Sequence, residues 1–495
     1  MSSVPAGLPG LPVELFKSIT NDLNTKELCS LRQTCRMVHF KMESIFAKAF
    51  FRQKQFMVTT PSLTALLDIS KHTTFSKSLK RVCLGTDSYQ ATHFHSFDGP
   101  QGEAALDGLA DQAFLVNTGS WRAMLVEAFR ALPNVDTLDV RDYNSNTRFR
   151  DGKDACWRSC GVVTVKDKTG CFLNMHTTHD SAATTRWTNL LFQNLLLAAA
   201  EAGLQIRSLE TIFKMSGVSD FALYPIPATL PLLANLTKVH IDVNNSYLGG
   251  VVPPPHGLMK FINAVPNVTW LRINFKHVSV SAEAFVLWLA GGADKEANGG
   301  DEAPNESEVV ANGGHGATNG GDGATNGGDE ETNGGDGDNA ANDNTAQSTK
   351  IPAPALAHLT RLELGMCVVK PSTLEKLLAK FDNLKSLTLW RFGLAQEVNG
   401  MTDPVWAQFL ERRSTSGSKL EDLTVGHLTQ DHGHYHDLPV SFHSWHRPHI
   451  DARYRIRPDR PPASGNDDAW TAAAKDIKLL VPVVHGGSRF VGEFC

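Results

Sequence analysis

Val268-Thr269-Trp270-Leu271-Arg272-Ile273 and Leu359-Thr360-Arg361-Leu362-Glu363-Leu364 share one pattern: an apolar residue, two variable ones, then two apolar residues flanking a third variable one. The paired apolar positions are two residues apart, the spacing that puts side chains on one face of a strand. Outward from these two stretches the pattern returns at Leu236/Val239/Ile241 and Leu384/Leu387/Leu389. It returns again at Val135/Leu138/Val140, Leu420/Leu423/Val425 and Leu79/Val82/Leu84, with a weaker copy at Ile206/Leu209/Thr211. Turns such as Leu132-Pro133-Asn134 and Val265-Pro266-Asn267 lead into it, and helix-like stretches such as Trp121 to Leu132, Gly257 to Val265 and Leu374 to Phe381 lie upstream.

The spacing defines a repeat. Ile206, Leu236 and Val268 are 30 and 32 residues apart, the step to Leu359 is 91, and the last two steps are 25 and 36. Removing the 60 residues of 291–350 reduces the long step to 31. Units of roughly 20–29 residues, with longer irregular variants, are the signature of a leucine-rich-repeat solenoid. Each unit pairs a strand with a return helix, and stacking makes the core and leaves a concave strand face.

The segment 291–350 holds thirteen acidic residues against two basic ones and repeats Ala-Thr-Asn-Gly-Gly-Asp. With almost nothing apolar to bury it is expected to be a disordered acidic insert. It carries a charge near −11 in a chain of net −5, so the remainder is about +6 and thinly spread, which does not point to nucleic acid. Eight cysteines without pairing spacing suit a reducing compartment. Met1 to Leu15 has no basic or apolar leader and no run approaches 18 apolar residues, so neither a signal peptide nor a membrane span is expected. The expected location is cytoplasmic and/or nuclear.

Before the repeats, Leu11, Leu15, Ile19 and Leu23 recur at helical spacing, with Pro12 suited to a first turn. A second helix starts at Asn24, with Glu27 making a capping box, and a third spans about 37–51. The order Leu11-Pro12-Val13-Glu14-Leu15, Ile19, Leu23, Glu27-Leu28, Leu31, Cys35-Arg36 resembles the F-box family. The run Phe56-x-Val58-Thr59, Ser62-Leu63, Leu66-Leu67-Asp68-Ile69-Ser70 and Leu84-Gly85-Thr86 is similar to filamentous-fungal F-box proteins, so the resemblance covers roughly 8–87. Met37-Val38 departs from it where the family often has tryptophan.

The resemblance implies a non-catalytic adaptor of a Skp–cullin–F-box ubiquitin ligase. It would dock on a Skp-type linker, and through it a cullin and a RING subunit, by Leu11, Pro12, Glu14, Leu15, Ile19, Leu28, Leu31 and Cys35. The plainer reading is a three-helix cap with these leucines turned inward. The fold expected is α/β (α+β): a three-helix F-box at 8–51, linking helices at 52–78, and an irregular solenoid of short parallel strands and helices. Repeats span 79–290, the insert 291–350, further repeats 351–430, and a His/Pro-rich loop with a C-terminal cap 431–495.

An unknown target protein would lie on the strand face. The candidates beside the apolar positions are Asp139, Arg141, Asp242, Arg272, Asn274, Glu363, Thr388, Trp390 and Arg391, of which Arg272, Glu363, Trp390 and Arg391 are preferred. An ordinary solvated face is the alternative for each. A scaffold that assembles no ligase would use the same surfaces.

Metal chemistry has two weak candidates. Cys156, Cys160 and Cys171 near His176 and His179 lack the spacing of a standard zinc finger. The histidines at 427, 432, 434, 436, 443, 446 and 449 lack nearby cysteines and suit a surface loop. No nucleophile elbow, zincin or phosphate-loop motif is present, so no cofactor is expected and no catalytic residue is assigned.

Overall fold

The computed structural model describes residues 7–90, 94, 97–145, 148–173, 181–244, 255–276, 280–292, 351–397, 404–415, 420–432, 435–442, 452–455 and 469–478. The insert 291–350 lies almost wholly outside them, as do His176, His179, His434, His443, His446 and His449. The described residues form one compact unit.

Three helices open the chain: α1 (Val13–Asn21), α2 (Thr25–Arg32) and α3 (Arg36–Phe50). Pro12 is the N-cap of α1, one position earlier than its sequence suggests. The Asn24 side chain accepts the Glu27 N–H at 2.9 Å and Glu27 accepts the Asn24 N–H at 2.8 Å, completing the capping box of α2. Phe16, Leu28, Val38, Met42 and Phe50 form a core of the cap's own.

The next segment is not helices alone. It contains strand β1 (Gln53–Phe56) before α4 (Thr60–Lys71) and α5 (Phe75–Ser78). Three of the four β1 residues are polar, so no apolar alternation announced it.

Seven strands follow in β1's sheet in strict chain order: β2 (Arg81–Gly85), β3 (Thr137–Arg141), β4 (Ser208–Ile212), β5 (Lys238–Val243), β6 (Trp270–Phe275), β7 (Arg361–Val369) and β8 (Ser386–Leu394). Each is parallel to the one before. Parallel neighbours need a crossover, and helices supply most of it: α6 (Gly99–Thr118) and α7 (Ser120–Arg130) before β3, α8 (Val162–Thr169) and α9 (Ser181–Glu201) before β4, and α10 (Leu230–Leu233) before β5. Then come α11 (His256–Asn263), α12 (Val280–Leu289), α13 (Pro371–Lys380) and α14 (Val405–Ser414).

The register is constant, so the sheet reads as columns. Val82, Leu138, Leu209, Val239, Leu271, Leu362 and Leu387 make one apolar column; Leu84, Val140, Thr211, Ile241, Ile273, Leu364 and Leu389 make the second. All are buried, and all but Thr211 share one core with helix residues such as Phe129, Leu195, Phe261, Phe285 and Leu374. The weak copy holds because the Thr211 hydroxyl bonds the His240 carbonyl and also accepts the Asp242 N–H.

The far end departs from the expected loop. After β9 (Asp422–Gly426) come β10 (Thr429–His432), β11 (Tyr435–Pro439), β12 (Ser441–Phe442), β13 (Ala452–Arg455), α15 (Ala469–Asp476) and β14 (Ile477–Lys478). β8 forks: Ser386 to Trp390 pair with β9, and Gly393 and Leu394 pair with β10. At the fork Met366, Arg391 and His427, next to the paired Gly365, Trp390 and Gly426, all have positive φ. No described helix is long and apolar enough to cross a membrane.

Candidate functional site

Two surfaces stand out: the outer face of the cap and the polar face of the sheet. On the cap, Leu15 is 55% exposed, Ile19 41% and Phe40 77%, with Val13 and Met37 also open. Leu15 and Ile19 are one turn apart on α1, and Met37 and Phe40 nearly one turn apart on α3. The Lys41 Nζ donates to the Leu11 carbonyl at 2.7 Å, which holds the start of α1 beside the first half of α3.

Of the docking residues expected from sequence, Pro12, Glu14, Leu15, Ile19 and Cys35 are exposed, and Leu11 and Leu31 are half-buried. Leu28 is 2% exposed inside the cap's core and is a packing residue. Val13, Met37 and Phe40 are exposed as well and lie outside the docking set the resemblance implies. Helical spacing from Leu11 placed Leu15 and Ile19 on a face, but only the packing of Phe16 and Val38 shows which face turns out.

The polar face carries the residues that alternate with the apolar columns. One column runs Arg81, Thr137, Ser208, Lys238, Trp270, Arg361; the next runs Cys83, Asp139, Glu210, His240, Arg272, Glu363. Arg81 spans three strands, meeting Glu210 at 2.7 and 2.9 Å and Asp139 at 3.2 Å. Lys238 adds a 2.8 Å contact to Glu210, and Arg141 bonds Asp139. Burial opposes the Glu210 charge, but Arg81 and Lys238 outweigh it and hold the carboxyl down to about 2. Burial dominates at Asp139 and raises it despite Arg141 and Arg81.

A second cluster centres on Trp270. Its indole N–H donates to Glu363 at 2.7 Å, and its ring lies 4.1 Å from the Lys238 ammonium and 3.9 Å from the Arg361 guanidinium. His240 meets the ring edge-on at 4.7 Å, and neither of its nitrogens has a hydrogen-bond partner. Burial, then Lys238, pushes His240 down to about 3, so the imidazole is neutral at pH 7.

The four residues preferred from sequence as contacts for a target do not converge. Arg272 and Glu363 are neighbours on β6 and β7, 3.9 Å apart, and belong to the Trp270 cluster. Trp390 and Arg391 lie on β8, where Trp390 packs edge-on against His427 at 5.0 Å. Asp139, Arg141, Asp242 and Asn274 are buried in hydrogen-bonded or ionic networks, and Thr388 is half-buried. Arg81, Glu210, Lys238, His240, Trp270 and Arg361 lie outside the residues expected from sequence. The residue before each apolar pair and the one inside it mark them, once every copy is read in one register.

The seven described cysteines are free thiols, and among the described residues no three His, Cys, Asp or Glu side chains are grouped to hold a metal. Cys156, Cys160 and Cys171 are half-buried. His432 and His436 fall on β10 and β11. No family model and no curated protein matches the chain.

Proposed function

We propose that this chain is an F-box-type adaptor built on leucine-rich-repeat-like units. The cap docks on a Skp-type linker, which joins it to a cullin and a RING subunit, and the polar face of the sheet receives a target protein for ubiquitin transfer. The adaptor does no chemistry. It raises the effective concentration of a target lysine beside the charged ubiquitin carrier.

One observation carries this reading. The cap has a complete small core and still presents Val13, Leu15, Ile19, Met37 and Phe40 outward. Exposed apolar side chains grouped on a small helical unit mark a partner surface, where a helix-binding groove gains by covering them. The polar face supports the second half: aromatic and arginine side chains, as at Trp270 and Arg361, are the types enriched at protein-binding hot spots.

The test is a pull-down of full-length protein with a purified Skp-type linker. Leu15→Asp with Ile19→Asp puts charges on the exposed face without touching the cap's core and is expected to abolish capture. Leu11→Ala with Pro12→Ala is expected to weaken it. Cullin should co-purify with the parent protein in the presence of linker. Capture that survives the double aspartate variant rejects the reading.

A further inference from the structure

We propose that the cleft between α3 and the first three strands binds a small molecule bearing phosphate groups. This does not depend on the ligase reading. The cleft has a volume of about 490 Å³, within the roughly 300–1,000 Å³ of small-ligand sites. Lys48 comes from α3, Arg52 from the turn into β1, and Lys80 from the residue before β2.

These three cations are exposed, and none makes an ion pair or side-chain hydrogen bond among the described residues. A fourth, Arg81, stands beside them but is committed to Glu210 and Asp139. Among the described residues the only carboxylate lining the cleft is Asp136, whose Oδ1 accepts the Thr137 hydroxyl at 2.8 Å. Three free cations against one carboxylate leave a local charge of about +2, which favours a dianion.

The backbone sharpens the preference. The Arg52 carbonyl already accepts the N–H groups of Lys80 at 2.9 Å and Arg81 at 3.1 Å. The Lys80 carbonyl accepts those of Asp136 at 3.0 Å and Thr137 at 3.2 Å. A carbonyl has two lone pairs, so both are used. Lysine and arginine side chains only donate. The two backbone carbonyls are thus spent and the three free cations can only donate, which favours a ligand made of acceptor oxygens. Phosphate offers several at one centre and makes charge-assisted contacts with such cations.

The experiment is calorimetric titration of full-length protein with pyrophosphate and tripolyphosphate at low and high salt. Saturable one-site binding is expected, weaker at high salt. Lys80→Gln should weaken it about tenfold and the triple variant K48Q/R52Q/K80Q at least about a hundredfold, the loss of one and of several charge-assisted contacts. Unliganded unfolding should not change, because these side chains hold nothing together. Lys385→Gln, whose lysine pairs with Glu421 elsewhere on the surface, should bind like the parent. Three results would overturn the proposal: no saturable heat with either probe, unchanged affinity in the triple variant, or hexaglutamate peptide binding more tightly than tripolyphosphate.

Discussion

Replacing Glu210 by glutamine removes the carboxylate that joins three strands of the polar face. Its Oε1 accepts from Arg81 at 2.7 Å, Lys238 at 2.8 Å and Ser208 at 3.1 Å, and its Oε2 accepts from Arg81 at 2.9 Å. Glutamine keeps one acceptor oxygen and turns an NH2 group toward donors. The residue is only 2% exposed, so solvent screens little of the loss. The folded carboxyl titrates at about 2 against an ordinary value of 4.5, and that gap corresponds to about 3 kcal/mol. Truncating one partner of a buried ion pair costs about 3–5 kcal/mol, so two routes agree. The sign follows from proton binding. Between pH 2 and 4.5 the unfolded chain holds more protons at this group, so its stabilisation is complete above 4.5 and is lost as pH falls through about 2. Urea unfolding of parent and Glu210→Gln should differ by about 3 kcal/mol at pH 7, and the difference should shrink steadily as the pH is lowered from 4.5. A gap under about 1 kcal/mol, or one independent of pH, refutes the reasoning.

Asp87 gives the opposite pH signature. Burial raises its carboxyl to about 6 against a bond from the Ser159 hydroxyl, so the folded state holds the extra proton and the group destabilises the fold as pH rises above about 4 and through 6. Asp87→Asn should gain up to about 3 kcal/mol above pH 6 and nothing below pH 4, read as a difference in thermal midpoint between pH 8 and pH 4. Arg391 is exposed with φ 49°, a conformation in which Cβ crowds a carbonyl oxygen at a cost of about 1–2 kcal/mol, part of which glycine's greater chain entropy offsets. Arg391→Gly should therefore stabilise by about 0.5–1 kcal/mol, and a loss in chemical denaturation would count against strain at the fork.

Much of the sheet was legible because one apolar column pair recurs in fixed register from Val82 and Leu84 to Leu387 and Leu389. The cap helices were legible through Asn24, Glu27 and the spacing of Leu15 and Ile19. β1 was not, since Gln53, Lys54 and Gln55 are polar: Lys54 occupies the apolar register position, where burial lowers its pKa and its ammonium lies 5.0 Å from the Phe51 ring. The strands after His427 were missed because histidine and proline there suggested a loop, whereas pairing to β8 and β9 decides their conformation. The polar face was half-legible. Arg272 and Glu363 could be picked from their own copies, but Arg81 and Glu210 meet across 129 positions of chain, a contact no local pattern discloses. The cleft beside α3 is likewise lined from 48–55, 80–81, 136–137, Ser145 and Trp157, stretches brought together only by folding.

The forked strand bears on how such a chain can lengthen. A row of parallel units has two raw edges, each able to recruit another strand from a neighbouring molecule. Here β1 is met by Cys160, whose N–H bonds the Gln55 carbonyl at 2.8 Å. At the other margin β8 divides, and antiparallel β13 and β11 turn back on β9 and β10. A further parallel unit would meet antiparallel strands at that margin and the Cys160 bridge at the other. Both margins are thereby guarded against pairing edge to edge with a second molecule.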